Sequence, residues 1–254
     1  MSTPLLSLQH VSRHFGGLIA VDDVSFDLHE GELIGLIGPN GAGKTTLFNL
    51  ITGFSQLTGG SIQWKGNAIQ QSAADIARLG IARTFQNLRV FPNLTVFDNV
   101  SVGAVGHQKY GLFDALLGRK QAAQNVTAAT WKALELTGLT PYADQLAANL
   151  SYGKRKYLEI ARALAFSPKL LILDEPAAGL NDTETTELAK FLQKLNQRGI
   201  TLLLVEHDLN LVMGLCRRVL VLASGQLIAD GSPRQIARNK TVQDVYLGSD
   251  EVAA

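Results

Sequence analysis

The chain has 254 residues, 46% of them hydrophobic, enough to bury the core of one large α/β domain or of a domain with a subdomain. Its 23 basic and 22 acidic side chains leave a net charge of +1, which gives no electrostatic footprint for nucleic acid, and the lone Cys216 excludes an intrachain disulfide and fits a reducing compartment. Met1-Ser2-Thr3-Pro4 lacks a basic segment followed by a long apolar run, and no stretch reaches the roughly 18 consecutive apolar residues of a membrane span, so if the protein serves a membrane it is expected to do so from the cytoplasm through partners.

Strand-like runs stand at 5–8, 24–28, 32–37 and 61–64 and, after a strand-poor middle, at 170–173, 201–205, 219–223 and 226–229. Helical periods are expected at 47–52, 95–102, 122–137, 155–165, 184–197, 210–216 and 233–238, with about 231–254 as a helical tail. Short all-apolar strands followed by helices imply an α/β fold. Its core is a mainly parallel sheet flanked by helices, preceded by an N-terminal antiparallel β subdomain. The stretch at about 92–149, with a loop-like 103–111, reads as a helical subdomain inserted into a single domain that spans 1–254.

The 32–37 strand feeds Gly38-Pro39-Asn40-Gly41-Ala42-Gly43-Lys44-Thr45, which fits the phosphate-cradling pattern G-x-x-x-x-G-K-[ST] in full and opens the next helix through Thr45 and Thr46. Strand, glycine turn and helix are what that chemistry requires. The glycines let successive backbone N–H groups point inward, and the helix start adds partial positive charge facing the phosphates. Gly38, Asn40, Gly41, Ala42, Gly43, Lys44, Thr45 and Thr46 are thus candidate nucleotide contacts, Lys44 reaching the β- and γ-phosphates and the Thr45 hydroxyl ligating Mg²⁺. Far downstream the 170–173 strand ends in Asp174-Glu175-Pro176. Beside a P-loop these carboxylates divide two jobs: Asp174 holds magnesium, through water, and Glu175 activates the attacking water as general base. Alone, the tripeptide would also suit an ordinary polar loop start.

Between the two lies Leu150-Ser151-Tyr152-Gly153-Lys154-Arg155, followed by a helix with Leu158, Ile160, Ala161 and Leu164 on its apolar side. Here the sequence resembles the ATP-binding cassette family, over nearly the whole chain. The resemblance implies that Ser151 and Gly153 grip the γ-phosphate of ATP bound to the opposite subunit. Tyr152 and Lys154 replace the first glycine of the family's pair and its glutamine, which leaves the strength of this half-site open, and a plain N-cap at Ser151 is compatible with the same role. It further implies that Gln86, in Arg83-Thr84-Phe85-Gln86-Asn87, touches Mg²⁺ and the attacking water, and that His207, at the end of an apolar strand, contacts the γ-phosphate. Ala178-Gly179-Leu180-Asn181 is similar to the loop that crosses the dimer interface, with Asn181 where aspartate is usual. Phe15 resembles the ring that stacks on adenine, with a core phenylalanine as the alternative.

Four stretches resemble the longer ATPase subunit of bacterial branched-chain amino acid importers: 15–21, Arg83-Thr84-Phe85-Gln86 with Val90-Phe91-Pro92, 174–181, and 231–233 running to 244–248. The insertion at 106–124 also fits. The resemblance implies a peripheral subunit on the cytoplasmic face of the inner membrane, using ATP and Mg²⁺. Its implied partners are two transmembrane permeases, a second ATPase subunit or a second copy of itself, and indirectly an extracytoplasmic binding protein, with no nucleic acid. Closure would pass through the region from Gln86 to Phe97, where Phe91 and Leu94 either line a groove for a permease helix or pack inside the insertion. Urea, amide and lipid-exporting transporters, a soluble non-transport cassette ATPase and a regulatory subunit that binds ATP without hydrolysing it are the alternatives.

Overall fold

The computed structural model describes residues 3–69, 72–86, 88–106 and 119–250. An antiparallel sheet is built from β1 (Leu6–Phe15), β2 (Leu18–Leu28), β4 (Gly59–Trp64) and β5 (Asn67–Ala68), in the order β2-β1-β4-β5. A larger sheet has the order β10-β9-β3-β8-β7-β6, from β3 (Leu33–Ile37), β6 (Ile81–Arg83), β7 (Leu170–Asp174), β8 (Thr201–Val205), β9 (Arg218–Ala223) and β10 (Gln226–Gly231). Its strands run parallel except β10, which returns antiparallel along β9.

Strands β3, β7 and β8 are buried at every residue because both faces of the sheet are covered, and the pleat sends alternate side chains into two separate cores. Leu171, Leu173, Leu202 and Leu204 point to one core, with the helices Val96–Gly106 (α3), Arg119–Leu136 (α4), Tyr152–Ala165 (α5) and Asp182–Gln197 (α6) on that side. Leu170, Ile172, Leu203 and Val205 point to the other, where Leu47, Phe48 and Ile51 of α1 (Lys44–Ile51) meet residues of the antiparallel sheet such as Leu6, Val24 and Trp64. The glycine loop before α1 is therefore held between two sheets.

Several elements differ from the sequence expectation. The first hairpin extends to Phe15 and Leu18, well beyond the expected 5–8 and 24–28, because register shifts between Leu8 and Val11, Val11 and Arg13, and Arg13 and His14 interrupt the period of two. Strand β6 and the helix Ala73–Arg78 (α2), three and six residues long, are too short to show a period. The expected loop at 103–111 is helical over its described part, 103–106. Gly103 breaks nothing there. It lets α3 approach α5 so closely that a Cβ would fall 2.0 Å from the Arg162 carbonyl oxygen. Residues 107–118 of the insertion lie outside the described residues. The helix Leu209–Leu215 (α7) connects β8 to β9, and after β10 the chain continues as Pro233–Arg238 (α8) and Lys240–Asp250 (α9).

Candidate active site

Parallel register decides what meets at the carboxyl edge of the larger sheet. Leu36 of β3 pairs with Val205 of β8, and Val205 with Asp174 of β7, so the strand ends leading to the glycine loop, to Glu175 and to His207 are level neighbours. A cavity of about 390 Å³ opens there, lined by residues 40–46, Gln86, Glu175, Val205 and His207 together with Leu18, Ile19 and Ala20.

Gly43 opens α1 with φ 100°, and a Cβ on it would lie 2.3 Å from the Ala20 carbonyl oxygen, so only glycine fits. The first turn bond of the helix runs from the Leu47 N–H to the Gly43 carbonyl, which leaves the amides of Lys44, Thr45 and Thr46 ahead of it as the helix's donor end, suited to an anion. Lys44 is buried. Its ammonium donates to the carbonyl oxygens of Gly38 and Pro39 at 2.6 and 2.9 Å. Burial holds its pKa below the ordinary lysine value, against the pull of Glu175 and Asp174. Gly38 does not line the cavity. Its carbonyl seats Lys44 and its amide faces Tyr246 of α9.

Glu175 stands at the centre. Its Oε1 is 2.8 Å from His207 Nε2, and its Oε2 accepts from Gln86 Nε2 at 2.9 Å. Three residues far apart in the chain, all expected at one site, thus share one carboxylate. Asp174 is buried and paired with Arg83, whose Nη2 is 2.7 Å from Oδ2, while Nη1 donates to Asn49 Oδ1 on α1 at 2.7 Å. A hydroxyl from Thr45, a side-chain amide from Gln86 and a carboxylate from Asp174 are all hard oxygen donors, the set magnesium prefers, and the Arg83 pair leaves the second Asp174 oxygen to act directly or through water. The donor set fits the ion.

Like Gly38, the expected site residues Asp174, Phe15, Ser151 and Gly153 do not line this cavity. Phe15 is 48% exposed, under the Arg13 guanidinium at 4.4 Å, and its strand neighbours Leu18 and Ile19 line the cavity in its place. Ser151 caps α5, its hydroxyl accepting the Lys154 N–H at 3.4 Å, and Gly153 packs against Glu184, where a Cβ would meet Oε1 at 2.8 Å. The Asn181 side chain caps α6 in a reciprocal pair with Glu184. Phe91 and Leu94 are both exposed, on a turn pinned by the buried Asn99, whose side chain bonds the Phe91 N–H and the Phe91, Leu94 and Thr95 carbonyls. Neither lines the separate apolar cavity formed by Phe54, Phe85, Val102 and Phe166.

Sequence reasoning missed four buried charges around the site. Arg83 was legible only as part of the stretch that carries Gln86. Glu159 accepts the Phe85 N–H at 3.2 Å, and burial raises its pKa. Lys156 donates to the Glu175 carbonyl, and Glu206 accepts from Ala177. A charged residue in a sequence reads as solvated by default, and nothing at 156, 159 or 206 signals burial.

A family model described as ABC transporter matches residues 21–178, and one described as branched-chain amino acid ATP-binding cassette transporter matches residues 226–252. The high-affinity branched-chain amino acid transport ATP-binding protein LivG of Salmonella typhimurium is 46% identical, the alignment covering 98% of this chain and 99% of that one. Its counterpart BraF of Pseudomonas aeruginosa is 43% identical over the same shares. The ADP conformation of an ATP-binding cassette of an ABC transporter superposes with a TM-score of 0.85 at 31% identity, covering 97% of this chain and 100% of that one. A glycine loop at a parallel-sheet edge, two carboxylates on the next strand but one and relatives matched along their whole length have one common explanation: the chain belongs to the ATP-binding cassette family of transporter ATPases.

Proposed function

We propose that the chain is the ATP-hydrolysing subunit of a branched-chain amino acid importer, working from the cytoplasmic face of the membrane with two permeases, a second ATPase subunit or a second copy of itself, and an extracytoplasmic binding protein. The single observation that carries the ATPase chemistry is Glu175 held between His207 and Gln86 beside the glycine loop. ATP lies along the loop amides with Lys44 at its β- and γ-phosphates, and Phe15, beside Leu18 and Ile19, flanks the adenine end. Glu175 takes the proton of the attacking water, while His207 and Gln86 orient the water and the γ-phosphate. Thr45, Gln86 and Asp174 would hold Mg²⁺, which would supply positive charge to offset that of the phosphates.

Ser151 and Gly153 are absent from the cavity of their own chain, which supports a head-to-tail pair in which the start of α5 closes the site of the facing cassette. Binding closes the pair and hydrolysis reopens it, with the motion passed on through the segment from Gln86 to Phe97. No helix among the described residues is long and apolar enough to cross a membrane, in keeping with a subunit that acts on permeases. The branched-chain solute follows from identity with such ATPases along nearly both whole chains and from the match at 226–252. Reconstitution with the permeases and binding protein in liposomes tests it. Uptake of leucine, isoleucine or valine should require enclosed ATP, and a complex whose ATPase responds to another solute but to none of these contradicts the assignment.

A further inference from the structure

Glu175 has φ 49°, a left-handed backbone that a residue bearing a side chain keeps only where its surroundings impose it. Besides the bond from its own N–H to the Val205 carbonyl, two buried ionisable side chains hold the turn it opens. Lys156, on α5 and 3% exposed, donates from Nζ to the Glu175 carbonyl oxygen at 3.2 Å. Glu206, between β8 and His207 and 4% exposed, accepts the Ala177 N–H at 2.6 Å, and the His207 N–H is directed at the same carboxylate. The turn Glu175-Pro176-Ala177 is therefore pinned at its first carbonyl from the helix and at its last amide from the strand. Neither side chain lines the nucleotide cavity.

A third contact comes from Tyr152, one of the residues that depart from the family pattern. The Tyr152 hydroxyl donates to the Ala178 carbonyl at 3.3 Å, and its ring lies so close to Gly179 that a Cβ there would meet a ring carbon at 2.9 Å. Lys156 Nζ in turn sits 5.7 Å over that ring. The first two turns of α5, which begin at Ser151, thus hold the loop that carries the same chain's Glu175.

We propose that Lys156 and Glu206 are positioning residues that aim the Glu175 carboxylate, and that Lys156, with Tyr152, carries the position of the Ser151 helix start into the hydrolytic turn of its own chain. Occupancy of one composite site would then be felt at the base of the other. The inference rests on the reading of Glu175 as the general base.

The test compares kcat, KM and ATP affinity of the full-length chain with those of Lys156→Met, Lys156→Arg and the double variant Lys156→Met/Glu206→Gln, with Glu175→Gln as reference. Lys156→Met should lower kcat at least about tenfold, because misplacing a catalytic group by about 1 Å costs up to about 100-fold, while ATP affinity stays within about twofold. Lys156→Arg should restore most of the rate. The double variant strands no unpaired buried charge, so it remains measurable if Lys156→Met fails to fold, and it should show the same loss of kcat. If Glu175→Gln loses turnover but the double variant stays within about threefold of the parent, or if kcat and ATP affinity fall together, the positioning proposal alone is overturned. If Glu175→Gln hydrolyses ATP at the parent rate, the base assignment fails and the proposal falls with it.

Discussion

Arg83 closes on Asp174 at 2.7 Å with both side chains almost fully buried, and the other arm of the same guanidinium reaches Asn49 on the helix that follows the glycine loop. One edge-strand residue thereby locks the carboxylate assigned to magnesium against the element that cradles the phosphates.

Arg83→Met should leave Asp174 buried without its counter-charge and cost about 3–5 kcal/mol of stability, read as a lower urea midpoint. The double variant Arg83→Met/Asp174→Asn, which removes both charges, should recover at least half of that loss. Equal midpoints for the two variants would show that the stranded charge is not the cause.

Glu206 gives stability a pH dependence of unusual sign. Burial, helped by the negative charge of Glu175, pushes its carboxyl from 4.5 up to about 7, against the Ala177 and His207 amides and Lys156. Between those values the folded chain binds the proton that the unfolded chain has released, so this group's contribution is complete below about pH 4.5 and is lost as pH rises through about 7. Glu206→Gln removes that loss. Urea melts at pH 5 and pH 7.5 should show the variant gaining roughly 2–3 kcal/mol on the parent between the two, and a difference that stays constant would show that Glu206 does not titrate there.

Gly43→Ala should abolish tight nucleotide binding. The new Cβ meets a backbone carbonyl, which cannot rotate away, in a region of φ that costs an L-residue about 1–2 kcal/mol by itself. A titration with fluorescent ATP should show at least about a tenfold loss of affinity, that is about 1.4 kcal/mol or more. An unchanged affinity would mean that the loop is not held as described.

Strands β3, β7, β8 and β9 of the larger sheet were legible because they are short, mostly apolar runs set among helical periods, whereas β6 was too short to read, and the glycine loop and Asp174-Glu175 were legible because they sit where such strands end. Gln86 and His207 needed the family resemblance, since a glutamine in a loop and a histidine after a strand carry little signal alone. The distal half of the first hairpin hid behind its bulges, and Gly103 passed for a loop residue because a glycine required by helix packing looks the same as one required by a turn. Lys156 and Glu206 stayed invisible for another reason. Their roles depend on which backbone groups the fold brings opposite them, and that is a property of tertiary packing.

Glu175→Gln measured against the parent, with ATP affinity in the presence and absence of Mg²⁺ alongside turnover, tests the central assignment most directly. The parent should bind ATP in a magnesium-dependent way and hydrolyse it. Loss of a general base costs about 10²- to 10⁴-fold, so the variant should bind as tightly, turn over at least about 100 times more slowly and accumulate as an ATP-bound dimer. Hydrolysis by the variant at the parent rate, or a parent with no magnesium-dependent affinity for ATP, would contradict the account.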